Sequence, residues 1–191
     1  MSNPNNQPNR SMLQGIARRV MLERGFAPDF TPAALAELAA IAAAPMPADA
    51  TARDLRGLAW CSIDNDDSRD LDQLSVAEPL QGGCVRVRIA IADVDALVHP
   101  GAPIDAHARI NTTSVYTSAQ VFPMLPLRLC TDLSSLGQVE ERLALIAQMT
   151  MDPTGGVADS EVYRAVVINQ AKLTYRQVSA WLEAAVDSGS Q

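Results

Sequence analysis

The sequence predicts an α+β fold, with a short two-helix segment followed by a mixed or mainly antiparallel sheet on which helices pack. Helix signals fill the first quarter of the chain, two hairpin signals follow, and an amphipathic helix comes last. The 191 residues, 48% of them hydrophobic, suffice for one domain with a substantial core.

Capping residues place the first two helices. Ser11 can begin a helix that runs to Arg24 and ends at Gly25. Thr31 followed by Pro32 begins a second helix that extends to about residue 44. We therefore expect a disordered tail over residues 1–10, a helical segment over 11–53 and a sheet domain over 54–191, with a linker at 45–54 where the last two meet.

Two glycine-containing turns place the predicted hairpins. The first joins residues 71–78 to 84–92, and the second joins 142–151 to 157–169. Within 84–92, apolar side chains alternate with Arg86 and Arg88, so the pattern predicts one buried apolar face and two outward arginines. The apolar positions are Val85, Val87, Ile89 and Ile91.

Thr174 and Gln177 have the spacing of a capping box, which predicts the start of the last helix. Its apolar face would carry Trp181, and we expect both Trp60 and Trp181 to lie in the core. Asp93 ends a predicted strand, where it can cap a local turn or support a nearby site.

Residues 64–72 contain five aspartates and one arginine. Such a cluster repels itself unless a cation neutralises it. Asp70 and Asp72 are two positions apart at a strand start and so project from one face, and the turn-forming residues 65–68 can return Asp64 to their side. Three converging carboxylates suit Mg²⁺, which prefers oxygen ligands and accepts phosphate oxygens as well.

Two other interpretations of the cluster are a solvated acidic turn and an EF-hand loop. An EF-hand requires glycine where this chain has Arg69 and a bidentate glutamate where it has Ser75. The flanking patterns also predict strands rather than helices. The EF-hand is therefore rejected, whereas a solvated turn stays open.

Composition limits the class of protein. The net charge of −7 argues against a generic basic nucleic-acid binder, although bound metal would offset part of it. No apolar run reaches the roughly 20 residues of a membrane span. Three cysteines without a CxxC pair fit a reducing cytoplasm, and His99 and His107 have no partner at ligand spacing, so surface positions are expected.

The acidic stretch and four further blocks resemble the ribonuclease II/ribonuclease R (RNB-domain) exoribonucleases. The match is ordered along residues 54–183 and covers the first half of that family's domain. Its blocks are Ser62-Ile63-Asp64 with Asp70-Leu71-Asp72, Ile89–Val94, Thr113–Tyr116 with Pro123–Pro126, Asp132–Leu136 and Ala171–Tyr175.

This resemblance implies a Mg²⁺-dependent enzyme that degrades single-stranded RNA from its 3′ end and releases nucleoside 5′-monophosphates. It makes Asp64, Asp70 and Asp72 catalytic residues and metal ligands, with Asp72 most directly tied to cleavage. Tyr116 resembles the family's tyrosine that stacks on a base of the RNA, a contact that tolerates any base sequence.

Two departures from the family lead to an alternative function. Gln73 stands where many members have a fourth aspartate, which removes one charge near the metals. The family's domain also continues beyond the matched half, so we expect a fragment whose partner is a missing C-terminal half or a complementary chain. The alternative is therefore a catalytically inactive fragment with residual metal or RNA binding.

Overall fold

The computed structural model describes residues 7–44, 46 and 52–188. These residues fall into two compact units: a helical unit, made of the residues up to 42 with 98–129, and a sheet unit, made of 43–97 and 130 onward. The regular elements are α1 (Gln7–Glu23), α2 (Pro32–Ala40), β1 (Arg53–Asp54), β2 (Cys61–Asp64), β3 (Gln73–Pro79), β4 (Val85–Ala92), α3 (Pro103–Asn111), β5 (Val115–Tyr116), β6 (Val121–Phe122), β7 (Glu141–Met151), β8 (Val157–Ile168), β9 (Ala171–Thr174) and α4 (Tyr175–Ser188).

The helical unit contains α1, α2, α3 and the β5–β6 hairpin. Thr31 caps α2 as predicted, since its Oγ1 accepts a hydrogen bond from the Ala34 N–H at 3.1 Å. Gly25 follows α1 with φ of +81°, a left-handed conformation that glycine adopts without strain. The signals predicted at Thr31 and Gly25 are therefore confirmed.

The predicted bounds of the first two helices need correction. α1 begins at Gln7 instead of Ser11, so residues 7–10 are helical, while residues 1–6 of the predicted tail lie outside the described residues. α2 ends at Ala40 because Ile41 turns into an extended conformation. Most of the predicted linker, residues 45 and 47–51, also lies outside the described residues.

The sheet unit contains a seven-stranded mixed sheet in the order β1-β8-β7-β4-β3-β2-β9. Its outermost pairs, β1 with β8 and β2 with β9, are parallel, and the inner pairs are antiparallel. Both predicted hairpins are present, as β3–β4 and β7–β8. The sheet thus confirms the predicted α+β class.

The sheet curls strongly. β8 and β9 would lie about 24 Å apart in a flat sheet. Only Asn169 and Gln170 separate them in the chain, and the three peptide units from Ile168 to Ala171 reach at most about 11 Å. The Gln170 N–H donates to the Trp60 carbonyl at 2.9 Å. This bond connects the short link between β8 and β9 to the residue that directly precedes β2.

The core of the sheet unit lies on the inner face of this curl. Trp60 is fully buried there, as predicted, and its indole N–H donates to the Leu55 carbonyl at 2.9 Å. The other buried members of the core are Leu74, Ala90, Ala92, Leu136, Ala144, Ile146, Ala165 and Val167.

The predicted orientation of β4 is wrong. Its alanines face the core, which places Arg88 on the same inner face with 8% exposure and leaves Ile91 43% exposed. The inner position is tolerable because Arg88 forms an ion pair with Glu78 and donates from Nε to Gln148 Oε1 at 2.7 Å. On β4, Ala90 and Ala92 rather than the branched side chains face the core.

The capping box of α4 is confirmed by reciprocal hydrogen bonds. The Thr174 N–H donates to Gln177 Oε1 at 2.9 Å, and the Gln177 N–H donates to Thr174 Oγ1 at 3.2 Å. The prediction that Trp181 is a core residue is wrong, since it is 57% exposed. α4 packs on β9 and β2, which leaves this side chain at the surface. No helix among the described residues is long and apolar enough to cross a membrane.

Candidate active site

The acidic stretch connects two strands of the sheet unit. β2 ends at Asp64 and β3 begins at Gln73, so the flanking strands are present as predicted and the helices of an EF-hand are not found there. Asp64 Oδ1 accepts hydrogen bonds from the Asn65 N–H at 2.7 Å and from Ser68 Oγ at 2.8 Å. These bonds fold the start of the loop back onto its first carboxylate.

Two basic side chains of the β9–α4 segment bind the acidic loop. Lys172 Nζ donates to the Ser68 carbonyl at 2.6 Å and lies 3.4 Å from the Asp66 carbonyl. Arg176 forms an exposed ion pair with Asp66 at 3.4 Å. The loop is therefore fastened by the segment that the parallel β2–β9 pairing brings beside it.

Asp64 and Asp72 line one cavity of about 290 Å³. Asp72 directly precedes β3, and its backbone carbonyl accepts a hydrogen bond from the Ala92 N–H of β4 at 2.9 Å. The other lining residues are Ser62, Ile63, Leu71, Gln73, Ser75 and Tyr175. The cavity therefore combines two of the predicted site carboxylates with the side-chain amide of Gln73.

The carboxylates of the loop influence one another. Partial burial raises the pKa of Asp72, the negative charges of Asp70 and Asp64 raise this pKa further, and a hydrogen bond from its own backbone N–H opposes the shift. Asp70 does not line the cavity, although its charge reaches Asp72. A cation at this place would relieve the repulsion.

A second cavity, of about 280 Å³, is also lined by Asp64. Asp64 and Tyr175 line both cavities, and the second is also lined by Asn65, Asp66, Thr174 and Arg176. Tyr175 is 57% exposed. No role was predicted for Tyr175 or Arg176 from the sequence, although the block at residues 171–175 contains the tyrosine.

The carboxylates present fit a Mg²⁺ ion that is bound through few protein ligands. No group of three or more His, Cys, Asp or Glu side chains within the described ranges is arranged to hold a metal ion. Mg²⁺ does not require such a group, because it keeps several waters and binds through one or two carboxylates with substrate phosphates. Asp64 and Asp72 would hold the ion, with Asp70 adding charge nearby, and this assignment stays a prediction.

The remaining residues predicted from the sequence do not line this cavity. Tyr116 is on β5 in the helical unit and is 68% exposed. Asp93 does not cap a turn with its side chain: it is 3% exposed and forms an ion pair with Arg164 at 2.8 Å. His99 is exposed as predicted, but the surface position predicted for His107 is wrong, because it is 3% exposed and packs on the Phe30 ring with centroids 4.0 Å apart.

The fold and the paired carboxylates define an α+β domain with an acidic cleft at one margin of its sheet. The RNB domain model matches residues 52–191, and the chain belongs to this family. Ribonuclease R of Escherichia coli (strain K12) is 37% identical over 170 residues, which cover 88% of this chain and 21% of that protein. Exoribonuclease 2 of Escherichia fergusonii is 37% identical over 132 residues, which cover 69% of this chain and 20% of that protein.

A solved structure of Mycoplasma genitalium RNase R in complex with double-stranded RNA has the same fold. Its TM-score is 0.78 at 25% sequence identity, and the match covers 88% of this chain and 30% of that one. The chain therefore spans about a fifth of the length of the curated relatives it matches.

Proposed function

We propose that this chain carries the catalytic carboxylates of a 3′-to-5′ hydrolytic exoribonuclease that acts on single-stranded RNA and releases nucleoside 5′-monophosphates. The observation that carries the proposal is the shared cavity of Asp64 and Asp72. Family membership and relatives named Ribonuclease R and Exoribonuclease 2 support it. The three free cysteines support a cytoplasmic location.

The chemistry assigns different tasks to the side chains of the cleft. Asp64 and Asp72 would hold Mg²⁺, which when bound activates water and stabilises the leaving oxygen of a phosphodiester. Asp72 accepts a hydrogen bond from the attacking water and so orients it toward the phosphate. Lys172 keeps the loop in the shape that this orientation needs, since it binds the Ser68 carbonyl.

Exposed aromatic and cationic side chains would bind the RNA. Tyr175 lines both cavities and offers a face on which a base can stack, while Arg176, which lines the second cavity, can approach a phosphate. Tyr116 is the second proposed stacking residue. Stacking of this kind is worth about 1–3 kcal/mol per base and does not depend on base identity.

Gln73 favours a second candidate function, that of an inactive fragment with residual metal or RNA binding. It lines the cavity with a neutral amide, so the site holds less negative charge than a family member with aspartate there. A polypeptide that completes the domain, either a C-terminal half or a complementary chain, is then the expected partner.

A nucleotide-release assay separates the two functions. The purified chain is incubated with a short RNA with a single-stranded 3′ end, with and without Mg²⁺, beside Asp72→Asn and Asp67→Asn variants. Asp67 is a matched control because it lies in the same loop but lines neither cavity. Mg²⁺-dependent release of nucleoside 5′-monophosphates that is lost only in Asp72→Asn supports the enzyme. A cooperatively melting protein that releases none supports the inactive fragment.

A further inference from the structure

A buried serine binds the backbone on both sides of Asp70. Ser135 Oγ accepts a hydrogen bond from the Leu71 N–H at 3.2 Å and donates to the Arg69 carbonyl at 3.1 Å. The neighbouring Leu136 N–H donates to the Leu71 carbonyl at 2.7 Å. Because Ser135 is 4% exposed, water does not readily replace these bonds.

This contact is itself anchored in the core. Asn169, which is 1% exposed, donates from Nδ2 to the Leu136 carbonyl at 3.0 Å and to Ser62 Oγ at 3.1 Å. Ser62 lies on β2, two residues before Asp64. The Asn169 side-chain oxygen accepts from the Ala171 N–H of β9 at 3.2 Å. One buried hydrogen-bond network therefore connects the strand that carries Asp64 to the segment that carries Asp70.

Asp70 gains a fixed backbone from this arrangement. A surface loop is normally mobile, and a ligand on it loses conformational freedom when a metal binds. Here the peptide groups before and after Asp70 are both tied to one hydroxyl, while the Asp70 side chain stays exposed. The hydroxyl thus limits the positions that this carboxylate can take relative to Asp72.

We infer that Ser135 is a positioning residue that fixes Asp70 beside Asp72 and thereby sets the affinity of the acidic loop for a divalent cation. The inference rests on the proposed function, in that it assigns the cation to this loop. Ser135 does not touch the cation. Supporting groups of this kind in metal sites change metal affinity by about 10–100-fold when removed.

The test uses the full chain and Mn²⁺, whose free concentration is measured by electron paramagnetic resonance. Ser135→Ala removes the hydroxyl, and Ser135→Cys keeps a weak hydrogen-bonding group of similar size. Ser160→Ala is the control, because Ser160 lies on β8 and lines neither cavity. Asp72→Asn identifies the Mn²⁺ that binds at the site. Amide hydrogen exchange at Leu71 and thermal melting are measured on the same samples.

We expect Ser135→Ala to weaken the Asp72-dependent Mn²⁺ binding by about tenfold and to speed exchange of the Leu71 amide. Ser135→Cys should lie between it and wild type, and Ser160→Ala should match wild type in both measurements. If Ser135→Ala does not fold, the Ser135→Cys variant carries the comparison.

Two results overturn the inference and differ from each other. If wild type and the Ser135 variants bind Mn²⁺ with equal affinity, the role of Ser135 is contradicted, but the proposed enzyme function is not. A folded wild type that binds no Asp72-dependent Mn²⁺ and releases no nucleotide contradicts the proposed function, and the role of Ser135 with it.

Discussion

Asp64 and Asp72 face the same cavity from opposite ends of one loop, the first at the end of β2 and the second directly before β3. Hydrogen bonds hold both ends of this loop: Ser68 binds the Asp64 carboxylate, and Ala92 binds the Asp72 backbone. The strands therefore bring together two carboxylates whose charges repel in the absence of a cation.

Replacing Gln73 with aspartate should strengthen metal binding at this cavity. Gln73→Asp adds an oxygen ligand and a negative charge beside Asp72, so we expect the Mg²⁺ concentration for half-maximal nucleotide release to fall by about tenfold. The variant should also melt at a lower temperature without Mg²⁺ and recover when Mg²⁺ is added, because binding to the folded state stabilises it.

The control for this substitution is Gln81→Asp. Gln81 lies in the exposed turn between β3 and β4, away from the cavity, and its replacement adds the same charge. Equal Mg²⁺ requirements in wild type and Gln73→Asp would show that this position takes no part in metal binding.

Tyr175→Ala should weaken RNA binding through loss of a stacking surface. We expect a loss of about 1–3 kcal/mol of binding free energy, with Tyr175→Phe close to wild type because the ring remains. Fluorescence anisotropy with a labelled RNA, in buffer without divalent cations, measures binding without cleavage.

Trp181→Ala is the matched control, since Trp181 lies on the same helix and is also 57% exposed. It lines neither of the two cavities beside Asp64. Equal losses of RNA-binding free energy in the two alanine variants would mean that RNA does not bind preferentially at the cavities lined by Tyr175.

Local signals in the sequence predicted local structure well. Thr31, Gly25 and the Thr174–Gln177 pair act through hydrogen bonds or backbone angles within a few residues, and each was confirmed. Hairpin positions follow from turns of the same short range. The acidic loop was recognised because its residues are contiguous.

Long-range arrangement was not readable in the same way. Alternation in β4 shows which residues share a face, but the curl of the sheet decides which face lies inside. Arg88 lies on the inner face. The parallel pairing of β2 with β9 brings Tyr175 and Lys172 to the acidic loop across more than a hundred residues. Ser135 likewise reaches Asp70 through the tertiary fold alone.

The ion pair between Arg88 of β4 and Glu78 of β3 gives a stability prediction. Glu78→Gln leaves the Arg88 guanidinium, whose side chain is 10% exposed, without its counter-charge inside the curl. We expect the free energy of unfolding to fall by about 2 kcal/mol in urea denaturation. Glu161→Gln breaks the more exposed Arg53–Glu161 pair and should cost less than Glu78→Gln, because solvent screens this pair. Equal effects would show that Arg88 does not depend on Glu78.

The geometry around His107 assigns its tautomer. Asn111 binds the Ala27 backbone with both ends of its amide, accepting from the N–H at 2.8 Å and donating to the carbonyl at 2.9 Å. The amide cannot flip without losing these bonds, so its remaining N–H points to His107 Nε2 at 3.0 Å. Nε2 must accept, which leaves the ring proton on Nδ1, where the Pro123 carbonyl can accept it.

Protonation of His107 should therefore destabilise the chain below neutral pH. Burial lowers the pKa of His107 from its ordinary 6.5, against smaller opposing effects of the Pro123 carbonyl and of Asp29, which is itself paired with Arg18. The folded state binds this proton more weakly than the unfolded state, so the contribution to stability is complete above pH 6.5 and is lost as the pH falls toward the lowered pKa.

Urea denaturation at about pH 8 and about pH 5.5 should show a smaller pH dependence of the free energy of unfolding in His107→Gln than in wild type. His99→Gln removes the exposed histidine and should keep the wild-type dependence, whereas an unchanged dependence in His107→Gln would mean that other groups cause it.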